Sequence, residues 1–376
     1  MFAWKRMIKF FSILFFCCFS SISFSEIIIN GELSEEEWKS AREISKFYEV
    51  FPFSLKDASG DTRILIQEDE KGIYIGFINI QAKETIRANQ HQRDQGASPP
   101  VGDQVGITID FDNDGRTGYR FSVNAGGSIN DGTVINENEQ NLDWDGDWLS
   151  ATSISDTGWY AEIFIPWAIT SMKSQKGEER TIGFCFYRMM IAEYKVSATC
   201  KGSPYVNKFL SVFDEMNFKQ HEVSQLDIFP YITLSDDVAT KENDTKVGAE
   251  VFWKIDSNKQ LNATFNPDFG QVESDELVVN FSATETYYSD KRPFFAENQS
   301  MFEVQGYEMF YVINTRRIGG APDYNCSSFS SNIASSCSTS QKGTSDIDIA
   351  IRYIQQSENL DFGFLGASEK DEDFSQ

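Results

Sequence analysis

Two histidines, His91 and His221, are all the imidazole in this 376-residue chain. A histidine-rich zinc centre is excluded, and so is a serine triad, because neither histidine lies near a G-x-S-x-G turn. Basic residues are scarce as well: 33 Lys and Arg stand against 57 Asp and Glu, a formal charge of −24. A phosphate backbone needs a concentrated basic face, so nucleic acid is not an expected partner. Proline is rare at 9 residues, whereas aromatics reach 14% with 32 Phe. Aromatic and β-branched side chains suit a half-buried pleated surface, which argues for strands and against disorder. Past the N-terminus no run of 18 apolar residues occurs, so no later segment reads as a membrane-spanning helix.

What is present begins with a leader. Lys5, Arg6 and Lys9 precede the apolar run Phe10 to Phe19, and Ser23 and Ser25 supply the small residues of a signal-peptidase site. Residues 1–25 are therefore expected to be a signal peptide, too short in its apolar part to span a bilayer. Removal of Lys5, Arg6 and Lys9 would take the charge from −24 to −27. A lipoprotein site at Cys17 or Cys18 fails because bulky Phe16 precedes Cys17. Four cysteines would remain, and in an exported chain an even number favours disulfides. Cys326 and Cys337 bracket a Ser-rich loop, and Cys185 and Cys200 form the other expected pair, with a packed free thiol as the alternative at Cys185.

By length the chain holds two or three domains. From Glu26 to about Lys219 it alternates in short strands, expected at 62–67, 73–80, 105–111, 119–123, 148–154, 159–165 and 181–188. Asn113-Asp114-Gly115 marks a hairpin. One helix is expected where Ser34 and Glu37 form a capping box ahead of Trp38. This is the pattern of an immunoglobulin-like or jelly-roll-like β-sandwich over 26–219. After residue 226, Val247 to Ile255, Leu261 to Phe265, Ile347 to Tyr353 and Leu360 to Phe364 alternate apolar and polar. Such segments of about ten residues suit a transmembrane β-barrel or an ordinary half-buried sheet equally. Residues 226–376 hold about five strands where a barrel needs about eight. The fold class expected is all-β, a sandwich followed either by the opening strands of a barrel in a longer chain or by a second sheet that is not a barrel.

Several motifs carry a resemblance. Ile29-Asn30-Gly31-Glu32-Leu33 through Trp38, Arg93-Asp94, Gly102-Asp103-Gln104-Val105, Thr117-Gly118-Tyr119-Arg120-Phe121 and Gly158-Trp159-Tyr160-Ala161-Glu162 are similar to a family 9-type carbohydrate-binding domain. Phe265-Asn266-Pro267-Asp268-Phe269-Gly270-Gln271-Val272-Glu273, Lys291-Arg292-Pro293-Phe294-Phe295 and Arg316-Arg317-Ile318-Gly319 resemble an uncharacterised bacterial outer-membrane barrel family that carries such a domain at its N-terminus. The resemblance implies an exported protein of the outer membrane, with lipid around the barrel and the sandwich in the periplasm or at the cell surface. It also implies a continuation past Gln376, and calcium as a cofactor of some family 9-type modules.

Sugar recognition needs an aromatic face framed by polar groups. Asn141 to Trp148 supplies both: Trp144, in a loop rich in Gly and Asp, is the leading stacking candidate, flanked by Asp143 and Asp145. Trp148 is either a second platform or packing, and Arg93 either binds a hydroxyl or pairs with an acid. Trp159 and Trp167 fall where the apolar period requires core. Asp110, Asp112 and Asp114 open like a calcium loop, although Phe121 stands where an EF-hand has its bidentate Glu; a tight turn uses the same residues. Arg292 is expected to pair with a lumen acid, Glu273 or Glu285, with Phe294 and Phe295 packed inward. No motif supports catalysis. The function expected is non-catalytic glycan or oligosaccharide binding or uptake at the outer membrane. The alternatives are a transport or assembly barrel with a protein-binding or plug sandwich, and an accessory module of polysaccharide hydrolysis.

Overall fold

The structure, a computed structural model, describes residues 27–33, 36–95, 101–142, 144–203, 208–237, 242–267, 292–296, 301–302, 315–319, 346–357 and 360–369. The leader, Asp143, Cys326, Cys337, Glu273 and Glu285 lie outside them.

Strands appear where the alternation runs. In chain order they are β1 (Arg42–Ile44), β2 (Tyr48–Phe51), β3 (Phe53–Asp57), β4 (Thr62–Glu68), β5 (Gly72–Ile80), β6 (Gln104–Asp110) and β7 (Thr117–Asn124). Next come β8 (Ile129–Ile135), β9 (Glu139–Asn141), β10 (Leu149–Ile154), β11 (Gly158–Pro166), β12 (Glu179–Met190), β13 (Lys195–Ala198) and β14 (Asp214–Lys219). One antiparallel sheet has the order β1-β4-β5-β11-β10. The other runs β3-β2-β13-β12-β6-β7-β8-β9, with β14 also paired to β12. Ile64, Ile75 and Ile163 of the first sheet share one apolar core with Ile107, Phe121 and Phe186 of the second, and the Phe77 and Phe186 rings meet edge to face at 5.9 Å.

β6 is buried along its whole length because the second sheet is covered on its outer side too. There Cys185, Cys200, Phe209 and Leu210 form a smaller cluster. Cys185 and Cys200 are bonded to each other, Cα to Cα 5.2 Å, so Cys185 is both packed and crosslinked. The helix expected after Ser34 is a 3-10 turn, Glu36–Ser40. Ala41 N–H bonds to Trp38 O at 3.2 Å and β1 follows at once. The Trp38 indole donates to the buried Glu162 carboxylate, which also accepts from the amides of Asn30 and Gly31.

A third antiparallel sheet follows: β15 (Gln225–Asp237), β16 (Glu242–Asp256), β17 (Lys259–Phe265), β18 (Ile347–Gln355) and β19 (Phe362–Glu369), paired in that order. Among the described residues it is open, not closed into a barrel. Its amphipathic pattern is inverted. Register places Leu226 and Ile228 beside Trp253 and Val251, then Leu261 and Ala263, then Tyr353 and Ile351, then Phe364. This apolar face is the outer one: Ile232, Leu234 and Phe364 are 70%, 77% and 52% exposed. The opposite face is polar yet covered, with Lys254, Gln260, Asn262, Thr264 and Arg352 all buried.

Two segments cover that polar face. A helical turn at Pro293–Ala296 sets Phe294 against Ala350 and Phe295 beside it, and the Arg352 guanidinium lies 5.3 Å over the Phe294 ring. Arg292 donates to the carbonyls of Ile318 and Thr315 at 2.7 and 2.8 Å and stacks on Phe295. At the other end the sandwich reaches in: Ser171 Oγ donates to Gln260 Oε1 at 2.8 Å and Lys254 to Ala168 O.

Within the sandwich Arg188 is a large, almost fully buried cation. It donates to Asp61 O, Thr62 Oγ1, Ile80 O and Gln81 Oε1. Loss of a buried charged donor with several partners costs about 3 kcal/mol or more. Arg188→Leu is expected to lower the thermal midpoint of the sandwich accordingly, measured by the near-ultraviolet circular dichroism transition.

An arginine clamped by three aspartates as the candidate site

β8 places Asp131 inward, opposite Phe121, fully buried. The segment before β6 turns at Asp94, where φ is +59°, a left-handed conformation that Asp tolerates better than most residues. That turn aims Arg93 at Asp131: Nε donates to Oδ1 at 2.9 Å and a terminal nitrogen to Oδ2 at 2.6 Å, a two-point fork. Arg93 also meets Asp145 at 2.7 Å and Asp94 at 3.7 Å. Asp94 Oδ1 accepts from the Asp131 amide at 2.8 Å.

The same pair holds the loop that carries the tryptophans. Gly146 N–H donates to Asp131 Oδ2 at 2.7 Å, and Gly146 O accepts from Arg93 at 2.8 Å. With both backbone groups of Gly146 fixed, the loop turns its rings into the core. Trp144 is 8% exposed and packs edge to face on Tyr119 and Phe121; Trp148 packs on Phe121. The expectation of an exposed Trp144 platform is corrected here. A Gly- and Asp-rich loop need not carry its aromatic outward when a buried ion pair pins its backbone. Trp159 and Trp167 are core, the latter stacked on His221.

What reaches solvent is the rim: Arg93 is 37% exposed at its side chain and Asp145 64%. A guanidinium fork beside a carboxylate offers donors and acceptors that match neighbouring hydroxyls. Asp131, which organises the site, was not singled out by sequence, because Asn130-Asp131-Gly132 reads as a turn.

Carboxylate oxygens of Asp94, Asp131 and Asp145 lie within 4.8 Å of one another, spacing that could hold a cation. Arg93 supplies the positive charge there. The second acidic motif forms a turn, one of the two readings its sequence allowed. Asp110 accepts from the amides of Asp112 and Gly115, Asp112 from the amide of Lys173, and Asp114 from the amide of Arg116 and the Lys173 ammonium. Each of the three carboxylates accepts from at least one N–H group, and of the two sets the one grouped within 4.8 Å is Asp94, Asp131 and Asp145.

Comparison with known proteins gives one family model and two solved structures. Residues 223–351 match a family model. It is described as a domain of unknown function, DUF5916, and spans the third sheet from just before β15 into β18. No curated protein matches the chain. The chain is similar to a carbohydrate binding module of family 9 from Caldicellulosiruptor kristjanssonii solved in complex with cellotriose, at 14% identity over 50% of this chain and 88% of that one, with a TM-score of 0.35. A second structure from the same organism, in complex with glucose, aligns at 14% identity over 51% and 91%, also at 0.35.

Two outcomes follow. Trp144→Ala is expected to cost about 3–5 kcal/mol of stability, the range for an aromatic lost from a core, seen as a lowered unfolding midpoint. Burial, joined by the charges of Asp131 and Asp145, raises the Asp94 carboxyl from 3.8 to about 7, and burial raises Asp110 and Asp112 to about 6. An acid with a higher value folded than unfolded favours the fold while protonated. The contribution of these three carboxyls to stability is therefore fully present below about pH 4 and is lost as pH rises through about 6 to 7. Asp94→Asn keeps the acceptor and the left-handed backbone, and should flatten that decline in midpoints measured between about pH 5 and 8.

Proposed function

We propose that this chain is a non-catalytic outer-membrane protein: the sheet β15–β19 lies against lipid as barrel wall, and the sandwich binds oligosaccharide. The inverted sheet carries the membrane part. Burying one large aliphatic or aromatic side chain is worth about 1.5–3 kcal/mol, against a whole-domain stability of about 5–15 kcal/mol. An outer face bearing Leu226, Ile228, Ile232, Leu234, Val247, Phe362 and Phe364 forfeits a sum of that order in water and recovers it in hydrocarbon. Polar residues on the covered side are what a barrel interior holds.

The glycan part rests on the sequence motifs shared with family 9-type domains, and Arg93 with Asp145 is the polar rim available for hydroxyls. A second reading has support of its own. The contacts of Ala168 and Ser171 with the polar face favour a sandwich that caps a transport or assembly barrel and binds no sugar.

Fractionation tests the first part. Wild type is expected in the outer membrane, resistant to carbonate extraction. Ile228→Arg should fail to integrate, since a cation on a lipid face costs up to about 2–4 kcal/mol, whereas Ile80→Arg on the exposed sandwich surface should integrate normally. Protein that stays soluble in both forms sinks the membrane reading. Glycan-array binding by detergent-solubilised protein tests the second part: Asp145→Ala should weaken binding about tenfold, the worth of one charged hydrogen bond. Absence of any glycan signal leaves the capping reading in its place.

A further inference from the structure

We infer that the sandwich stands on the periplasmic side of the membrane, fastened to the rim of the sheet where the strand connections are short. The inference rests on the membrane reading above and adds its direction. The two ends of the third sheet differ. At one end β15 starts, β16 ends, β17 starts, β18 ends and β19 starts, as the pairs Gln225 with Lys254, Lys254 with Gln260, Gln260 with Ile354 and Gln355 with Phe362 require. The connections there are Ser257-Asn258 and residues 356–361. At the opposite end β15 leads to β16 through 238–241, but β17 leads to β18 through the whole of 266–346. Transmembrane barrels carry short turns toward the periplasm and long loops outward.

The sandwich is bound to the short-turn end. Met172 N–H donates to Ser257 O at 2.8 Å, Val223 N–H to Ser257 Oγ at 3.3 Å, and Ser257 Oγ donates to His221 O at 3.1 Å. Lys173 reaches Asp361, in the other short connection, at 3.6 Å. Lys254 and Gln260, at the same rim, hold Ala168 and Ser171. Both connections at this end thus touch one segment of the sandwich, Ala168 to Lys173. The Cys185–Cys200 disulfide fits an exported chain on either side of the outer membrane, so the direction rests on the strand connections.

Site-directed labelling in whole cells decides it. Asp156 is 90% exposed at its side chain. In a background with Cys326 and Cys337 replaced by Ser, Asp156→Cys should react with a membrane-impermeant maleimide only after the outer membrane is permeabilised, with labelling at least about tenfold lower in intact cells. Equal labelling in intact cells, with the protein in the outer-membrane fraction, overturns the sidedness while leaving the membrane reading in place. Recovery in the soluble fraction overturns both.

Discussion

Arg188 sets the spacing of the sandwich. A guanidinium removed from water needs its N–H groups answered, and β12 delivers this one to the far sheet, at the two ends of the β4–β5 hairpin. Asp61 and Thr62 answer at one side, Ile80 and Gln81 at the other. Gln81 in turn donates to Asp103, which also receives the amides of Arg87 and Ile191. One hydrogen-bonded chain therefore links β4, β5, the entry to β6 and the exit of β12. Two residues before Arg188, Phe186 meets Phe77 across the core, so polar and apolar contacts fix the same distance between layers. The segment from Arg87 to Asp103 starts from that fixed point, and the Arg93–Asp131 fork lies within its reach.

Much of the architecture was legible because alternation is a direct consequence of the pleat. The ranges expected for β4, β5, β6, β7, β11 and β12 differ from the strands by a few residues at their ends. β15 is the exception: Leu226, Ile228, Ile232 and Leu234 alternate, but Pro230 stands in their midst, a residue that argues against a central strand. Proline is tolerated there because β15 lies at the edge of the described sheet. The candidate site was less legible. Arg93 and Asp145 were in view, yet their organiser Asp131 was hidden in a sequence that mimics a turn. Trp144 was misplaced because local composition reports how a loop bends, not which side its rings take. That side is fixed by Gly146, whose partners are 15 and 53 residues away.

The two halves of the chain bury opposite things. In the sandwich isoleucine and phenylalanine face inward; in the third sheet Asn262, Thr264 and Arg352 do. Period-two patterning is identical for both, since a strand read as letters has no inside. The distinction entered only with the segments lying on one face: Phe294 with Phe295 toward one end, Ala168 to Ser171 toward the other. That reversal of the covered face is what supports the membrane reading proposed above.

The junction at Ser257 has a mechanical consequence. Domains strung on flexible linkers sample many orientations, and a pull on one is dissipated in the slack. Here only residues 220–224 separate β14 from β15, and the tip of the β16–β17 hairpin is hydrogen-bonded both to that link, at His221 and Val223, and to Met172 of the sandwich. Torque applied to the sandwich passes into the hairpin as strain on β16 and β17, so the two parts turn as a single lever.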